Sequence, residues 1–172
     1  MNNISTAFKF NQRDAKLMSQ FLVTKTNQQM DYFLSIEEQL TDHAYWYLLT
    51  TMWVNESSFY PIDGWIKLFS AKRSNRLVSV MKPDELALFK KLPKKLTLYR
   101  AHSENETDWI SYTLDPETAV KFAKMKNTNE IIEYKVKKHD CYSLFLRREE
   151  AEIICLDKSF VKKIREIKIV TS

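Results

Sequence analysis

The periodicity of the apolar residues changes near Pro93, just past the middle of the 172-residue chain. Before Pro93 the apolar positions recur at helical spacing, whereas after it they alternate with polar positions in short runs. Helices are therefore predicted at residues 12–24, 28–55 with a break near 41–42, 65–69, 84–91 and from 116 onwards. Strands are predicted at residues 96–101, 109–113, 130–137, 140–145, 148–156 and 164–170.

Two of these helices have more specific features. Residues 44–53 are apolar nearly all round, which is typical of a buried helix, so their aromatic side chains are expected in the core. Asp115 and Pro116 are residue types favoured at a helix N-cap and at the first helical position. Because no flexible linker separates the two halves, one α+β domain is predicted over residues 1–172, with a helical part at 1–92 and a β-rich part at 93–172.

The chain contains a single glycine, Gly64. Without glycine-rich loops it cannot form the phosphate-binding loops of Walker-type or Rossmann-type nucleotide sites. Its turns and helix ends are expected to use Asn, Asp and Ser, which tolerate left-handed or capping conformations.

The formal net charge of +5 is compatible with an anionic partner such as a nucleotide or a nucleic acid. Arg and Lys are frequent between residues 73 and 95, and two interpretations of them stay open. They form either an ordinary solvated face or a surface that follows phosphate groups.

No apolar segment reaches the roughly 18 residues that a membrane span needs, and residues 1–13 contain no continuous apolar stretch. A cytoplasmic protein without a membrane partner is expected. Cys141 and Cys155 are then expected to be reduced core residues. The three histidines and two cysteines lack metal-ligand spacing, so no metal site is predicted.

Two glutamates near the end of the chain are the first candidates for chemistry. In a strand at residues 148–156, Glu150 and Glu152 would point to the same face, and repulsion between them should raise at least one pKa. A charged strand edge that discourages sheet-to-sheet pairing is the alternative explanation. Arg100 is a third candidate, because it continues the apolar row of Leu96 and Leu98.

Three segments occur in a suggestive order. A strand ends in Arg100, a second strand contains Ser111-Tyr112-Thr113 and leads into a helix, and a third contains Glu150-Ala151-Glu152. Over residues 96–156 this order resembles the ADP-ribosyltransferase family of the Arg–Ser–Glu class, which includes cholera-toxin-like and clostridial-type toxins. Members usually have glycine after the arginine and often before the serine, where this chain has Ala101 and Ile110.

The resemblance implies a split β-sheet core, NAD as the substrate and a role for each matching residue. Glu152 would be the catalytic glutamate, and Glu150 would assist the acceptor. The NAD-binding residues would be Arg100, Ser111, Thr113 and Phe122.

The chemistry of NAD cleavage suits these residue types. A guanidinium is well shaped to bind the two phosphates of NAD. A carboxylate beside the ribose can stabilise the oxocarbenium-like species that forms when the nicotinamide–ribose bond breaks. A second carboxylate can act as a base on the incoming nucleophile.

The resulting hypothesis is an NAD-dependent mono-ADP-ribosyltransferase, a toxin or phage–host conflict effector that modifies a protein or a nucleic acid. A neutralising antitoxin protein is a further partner to expect in that setting. Two alternatives stay open: a catalytically inactive, basic module that binds nucleic acid or protein on the same fold, and an NAD glycohydrolase that uses water as the acceptor.

Overall fold

A computed structural model of the chain describes residues 3–56 and 60–169. The chain divides into two compact units, Met1–Leu86 and Ala87–Ser172. Helices make up the first half, and the second half contains an antiparallel six-stranded sheet. The α+β class predicted from the sequence is therefore confirmed.

Within residues 3–56 and 60–91, six α-helices precede the sheet. They are α1 (Gln12–Val23), α2 (Gln29–Ile36), α3 (Asp42–Glu56), α4 (Ile62–Phe69), α5 (Arg76–Val80) and α6 (Pro83–Lys91). The break near residues 41–42 is confirmed, since α2 and α3 are separate helices. The short helix α5 was not predicted, and α6 contains the boundary between the two units.

Helix α3 is the central helix of the first unit. Trp46 and Leu49 are fully buried, and the Tyr45 hydroxyl donates to the Leu68 carbonyl oxygen at 2.9 Å. The indole Nε1 of Trp46 donates to the Ser74 carbonyl oxygen at 3.0 Å. Tyr45 and Trp46 are core residues, as predicted from the apolar pattern, whereas Tyr47 of the same helix is 45% exposed.

Arg73, one of the basic residues between positions 73 and 95, has internal partners. Its guanidinium donates to the carbonyl oxygens of Glu37 at 2.6 Å and Leu40 at 3.2 Å, and it pairs with Asp42 at 3.3 Å. It also lies over the Tyr45 ring, 4.3 Å from the centroid. Arg73 therefore has a structural role within the first unit.

The second unit is built on a sheet with strand order β4-β5-β2-β1-β3-β6. Every neighbouring pair of strands is antiparallel. The strands are β1 (Lys95–Arg100), β2 (Ser111–Thr113), β3 (Glu130–Lys137), β4 (Ser143–Phe145), β5 (Glu152–Ile154) and β6 (Lys162–Lys168). Each predicted strand exists, and residue 170 of the last prediction lies outside the described residues.

Helix α7 (Pro116–Met125) covers part of one face of this sheet. Asp115 caps it as predicted, accepting from the backbone N–H of Glu117 at 3.1 Å and of Thr118 at 3.0 Å. The small side chains of the helix pack against β1 and β3 in an apolar cluster. Its buried residues are Ala119 and Ala123 of α7 together with Ala101 and Ile131, and Phe122 is partly buried against them.

The strand predicted to include Glu150 begins only at Glu152, so that prediction is wrong at its start. Arg148, Glu149 and Ala151 have φ angles of 63°, 59° and 43°, which belong to left-handed backbone. Such residues cannot continue the pleat of a strand. Glu150 precedes the strand and is not one pleat away from Glu152.

Candidate active site

Ser111 and Glu152 are brought together by the pairing of β2 with β5. Thr113 pairs directly with Glu152, so their side chains lie on the same face, and Ser111 joins them two residues away. The Ser111 hydroxyl donates to Glu152 Oε1 at 2.5 Å. A hydrogen bond to an ionised carboxylate is short and orients the acceptor, so Ser111 fixes the position of the Glu152 side chain.

Glu150 lies beside this pair but is held through its main chain. Its carbonyl oxygen accepts from the Thr113 hydroxyl at 2.6 Å. Burial raises the pKa of its carboxyl group, and the positive charge of Arg148 partly offsets that effect. The prediction that one glutamate would have a raised pKa is confirmed, but the cause is desolvation, where repulsion from Glu152 was expected.

Arg100 contacts Ser111 and a carboxylate that was not predicted. One terminal nitrogen of its guanidinium donates to the Ser111 carbonyl oxygen at 2.7 Å. The other terminal nitrogen reaches Glu106 Oε1 at 2.5 Å, and Nε reaches Oε2 of the same carboxylate at 3.3 Å. This is the two-pronged geometry that makes arginine–carboxylate pairs strong.

The strand register separates Arg100 from the row of Ser111 and Glu152. Tyr99, not Arg100, pairs with Thr113, so Tyr99 shares the face of Thr113 and Glu152. The neighbouring Arg100 side chain leaves β1 on the other face. Arg100 therefore reaches Ser111 through the main-chain oxygen, while Glu152 reaches it through the hydroxyl.

Two more side chains lie beside Glu106. His102 Nδ1 lies 2.7 Å and Lys126 Nζ lies 3.3 Å from its carboxylate, in addition to the contacts of Arg100. Burial alone would raise the pKa of Glu106, but the hydrogen bond from His102 and the charges of Arg100 and Lys126 outweigh it. The resulting pKa is about 2, so the carboxylate is ionised at neutral pH.

Aromatic side chains surround the His102 and Arg100 pair. The ring centroids of His102 and Trp109 are 4.2 Å apart, and the Arg100 guanidinium lies 5.9 Å from the Trp109 ring centroid. The other ring nitrogen of His102 lies 2.7 Å from the hydroxyl of Tyr134. Burial raises the pKa of Tyr134 to about 12, so this hydroxyl is protonated at neutral pH.

The sequence-predicted site residues are thus only partly assembled. Ser111, Thr113, Glu150 and Glu152 are joined by hydrogen bonds, and Arg100 joins them through the Ser111 carbonyl oxygen. Phe122 instead packs in the apolar cluster under α7. Glu106 and Lys126 were missed, because Glu106 lies between β1 and β2 in a segment without periodic pattern and Lys126 follows the end of α7.

Within residues 3–56 and 60–169, no group of three or more His, Cys, Asp or Glu side chains is arranged to hold a metal ion. Cys141 and Cys155 are buried and unlinked, with their sulfur atoms 3.7 Å apart, as predicted. Over the same described residues, no helix combines the length and the apolar character needed to cross a bilayer.

Comparisons with protein-family models, with curated proteins and with solved structures found no match to this chain.

Proposed function

We propose that the protein is an NAD-dependent mono-ADP-ribosyltransferase with the split-sheet fold of that family. The hydrogen bond between Ser111 and Glu152 carries the proposal. It joins residues from two strands that the sequence resemblance had matched to the serine and the glutamate of the family. A glutamate oriented in this way suits stabilisation of a positively charged ribose.

The proposed reaction begins with cleavage of the bond between nicotinamide and ribose. Nicotinamide leaves with the bonding electron pair, and the negative charge of Glu152 stabilises the oxocarbenium-like ribose that remains. The nucleophile of the acceptor then bonds to the same ribose carbon. Glu150 takes the proton that the nucleophile loses, and its raised pKa brings it nearer to the working range of a general base.

Arg100 is the proposed binding residue for the phosphates of NAD. Its guanidinium has the fork geometry that phosphate recognition needs, but Glu106 occupies part of that fork. Binding of a diphosphate at Arg100 therefore competes with Glu106. The positive charge of Lys126 beside Glu106 favours the exchange of one anion for another.

The ion pair between Arg100 and Glu106 also favours a second candidate function. An arginine with a complete internal partner needs no ligand, so it can serve to brace the segment between β1 and β2. In that case the protein is a catalytically inactive module that binds nucleic acid or protein. The two candidates differ in whether NAD binding depends on Arg100.

The biological setting belongs to the proposal as well. The protein acts in the cytoplasm as a toxin or a phage–host conflict effector, with a protein or a nucleic acid as acceptor and a neutralising antitoxin as partner. Incubation with labelled NAD and a cell lysate, followed by separate protease and nuclease digestion, tests activity and acceptor class together.

Label that protease releases identifies a protein acceptor, and label that nuclease releases identifies a nucleic acid. Release of nicotinamide without any labelled macromolecule indicates an NAD glycohydrolase. If no nicotinamide is released under any condition, the proposal of an ADP-ribosyltransferase is wrong.

A further inference from the structure

Two pairs of lysines face each other directly across the sheet. Lys95 of β1 pairs with Lys137 of β3, and Lys135 of β3 pairs with Lys162 of β6. All four side chains are exposed. Like charges directly opposite one another destabilise a sheet, so the fold alone gives no reason for this arrangement.

The four lysines form one surface, named here the lysine face. Paired residues share a face, and Lys135 and Lys137 are two residues apart in β3, so all four side chains lie on the same side. Helix α7 covers the other end of that side, where it packs on Tyr99 and Ile131. The lysine end stays open to solvent.

Other cations of β6 are neutralised by nearby carboxylates. Lys163 pairs with Glu166 at 2.5 Å, and Lys168 pairs with Glu130. Over residues 3–56 and 60–169, no carboxylate pairs with a lysine of the lysine face. The amino group of Lys135 donates to the uncharged hydroxyl of Thr97. The lysine face therefore has four positive charges without counter-charge.

We propose that the lysine face binds the phosphate backbone of a nucleic acid. A chain of phosphates would neutralise both lysine pairs at once and release the counterions condensed on the nucleic acid. The Cβ atoms of paired lysines lie about 5 Å apart across the strands, and those of Lys135 and Lys137 lie roughly 6.6 Å apart along β3. The lysine face therefore presents regularly spaced cations to the regularly spaced phosphates.

This site is separate from the one proposed to bind NAD. Lys95 and Arg100 are at opposite ends of β1. The proposal is tested by binding alone. Its failure would leave the proposed transferase reaction untouched, and failure of that reaction would leave the lysine face untouched.

The test is fluorescence anisotropy with a short labelled single-stranded oligonucleotide of mixed sequence, at salt concentrations from about 50 to 200 mM. Four phosphate contacts predict that log K falls with log salt at a slope of about −3. The double variant Lys135→Gln, Lys162→Gln should reduce the steepness of that slope by about 1.4. Its melting temperature should not fall, because a like-charge pair has been removed.

The matched control is the double variant Lys163→Gln, Lys168→Gln. It also removes two positive charges, but from lysines of β6 whose β3 partners, Tyr134 and Glu130, lie on the opposite face. The control should retain the slope of the unaltered protein. An equal reduction of the salt slope in both variants, or no binding of the oligonucleotide at about 50 mM salt, would overturn the proposal. Binding to vesicles of anionic lipid without binding to the oligonucleotide would assign the surface to a membrane and overturn it too.

Discussion

At Arg100, one guanidinium joins the two parts of the candidate site. It donates to the Ser111 carbonyl oxygen and to both oxygens of Glu106, so each of its three nitrogen atoms forms a hydrogen bond. Its side chain is only 16% exposed. A charge at that depth is stabilised by its partners, and any ligand that binds it must replace those contacts.

Replacement of Arg100 by lysine should weaken NAD binding by about 1.5–3 kcal/mol, because an ammonium group cannot form the two-pronged contact. Calorimetric titration with NAD measures the affinity, and thermal melts of both proteins measure stability. An unchanged affinity together with a lowered melting temperature would make Arg100 a structural brace and favour the inactive module.

Substitution of Glu106 by glutamine should destabilise the protein near neutral pH by at least about 1 kcal/mol, since the cationic side chains of Arg100 and Lys126 lose their shared carboxylate. The pKa of Glu106 falls from 4.5 to about 2 on folding, so the unfolded chain takes up the proton first as the pH falls. The stabilisation is thus complete above about pH 4.5 and is lost as the pH falls towards 2.

Urea unfolding at several pH values between about 2 and 7 checks this prediction. The difference in unfolding free energy between the two proteins should stay constant near neutrality and shrink below about pH 4.5. A difference that does not change with pH would show that Glu106 acts through packing and not through its charge.

At the scale of single residues, the sequence predicted which strands hold Ser111 and Glu152 but not the partner of Arg100. An alternating pattern predicts that a strand exists and which of its residues share a face, so residues within strands can be placed in advance. Glu106 lies between β1 and β2, where no periodicity exists and the path of the backbone decides which side chains meet.

At the scale of elements, the segment before β5 is the least regular part of the site. Arg148, Glu149 and Ala151 all have positive φ, although none of these residue types favours left-handed backbone. Asn75 and Asn127 also have positive φ, as the scarcity of glycine had suggested. Strained backbone beside Glu150 and Glu152 agrees with a functional role for this segment.

Substitution of Ala151 by glycine should stabilise the protein by about 0.5–1 kcal/mol. Left-handed backbone costs an alanine roughly 1–2 kcal/mol, and the greater freedom of glycine in the unfolded chain offsets part of that gain. Ala71 provides a matched control, because its φ is not among the positive values and glycine there should destabilise. Chemical denaturation measures both variants, and a loss of stability at position 151 would contradict the account.

The strand boundaries show what a pattern of residues can and cannot predict. Ile153 and Ile154 have high strand propensity, and β5 contains both of them. The charged residues before them have no comparable strand propensity. Three residues with left-handed backbone precede Glu152, so the strand cannot start earlier. The existence of β5 was therefore predictable, but the relation between Glu150 and Glu152 was not.

At the scale of the whole molecule, the chain passes from the first compact unit to the second inside helix α6. A boundary within a helix differs from the flexible, polar linker that usually separates domains. The sequence predicted a single domain because no flexible linker separates its two halves near Pro93, and the cooperativity of unfolding tests that prediction directly.

Thermal unfolding should therefore show one transition. Of the four tryptophans, Trp46, Trp53 and Trp65 belong to the first unit and Trp109 to the second. In a Trp109→Phe variant, tryptophan fluorescence reports the first unit alone, while far-ultraviolet circular dichroism reports the whole chain. Coincident transitions would support a single domain, and separate transitions would make the two units independent domains.

The proposed chemistry places the reacting ribose of NAD beside Glu152, oriented by Ser111. Loss of one preorganised electrostatic contact typically costs about 10²–10³ in rate. The exposed Glu149 is a matched control, because the same substitution there removes a charge three residues away from Glu152.

The most direct measurement is the rate of nicotinamide release from NAD by the unaltered protein, by Glu152→Gln and by Glu149→Gln, with circular dichroism to confirm that each is folded. The proposed role of Glu152 predicts that Glu152→Gln loses at least about 10²-fold in rate, while Glu149→Gln keeps the rate of the unaltered protein. Equal release by the unaltered protein and a folded Glu152→Gln variant would contradict it.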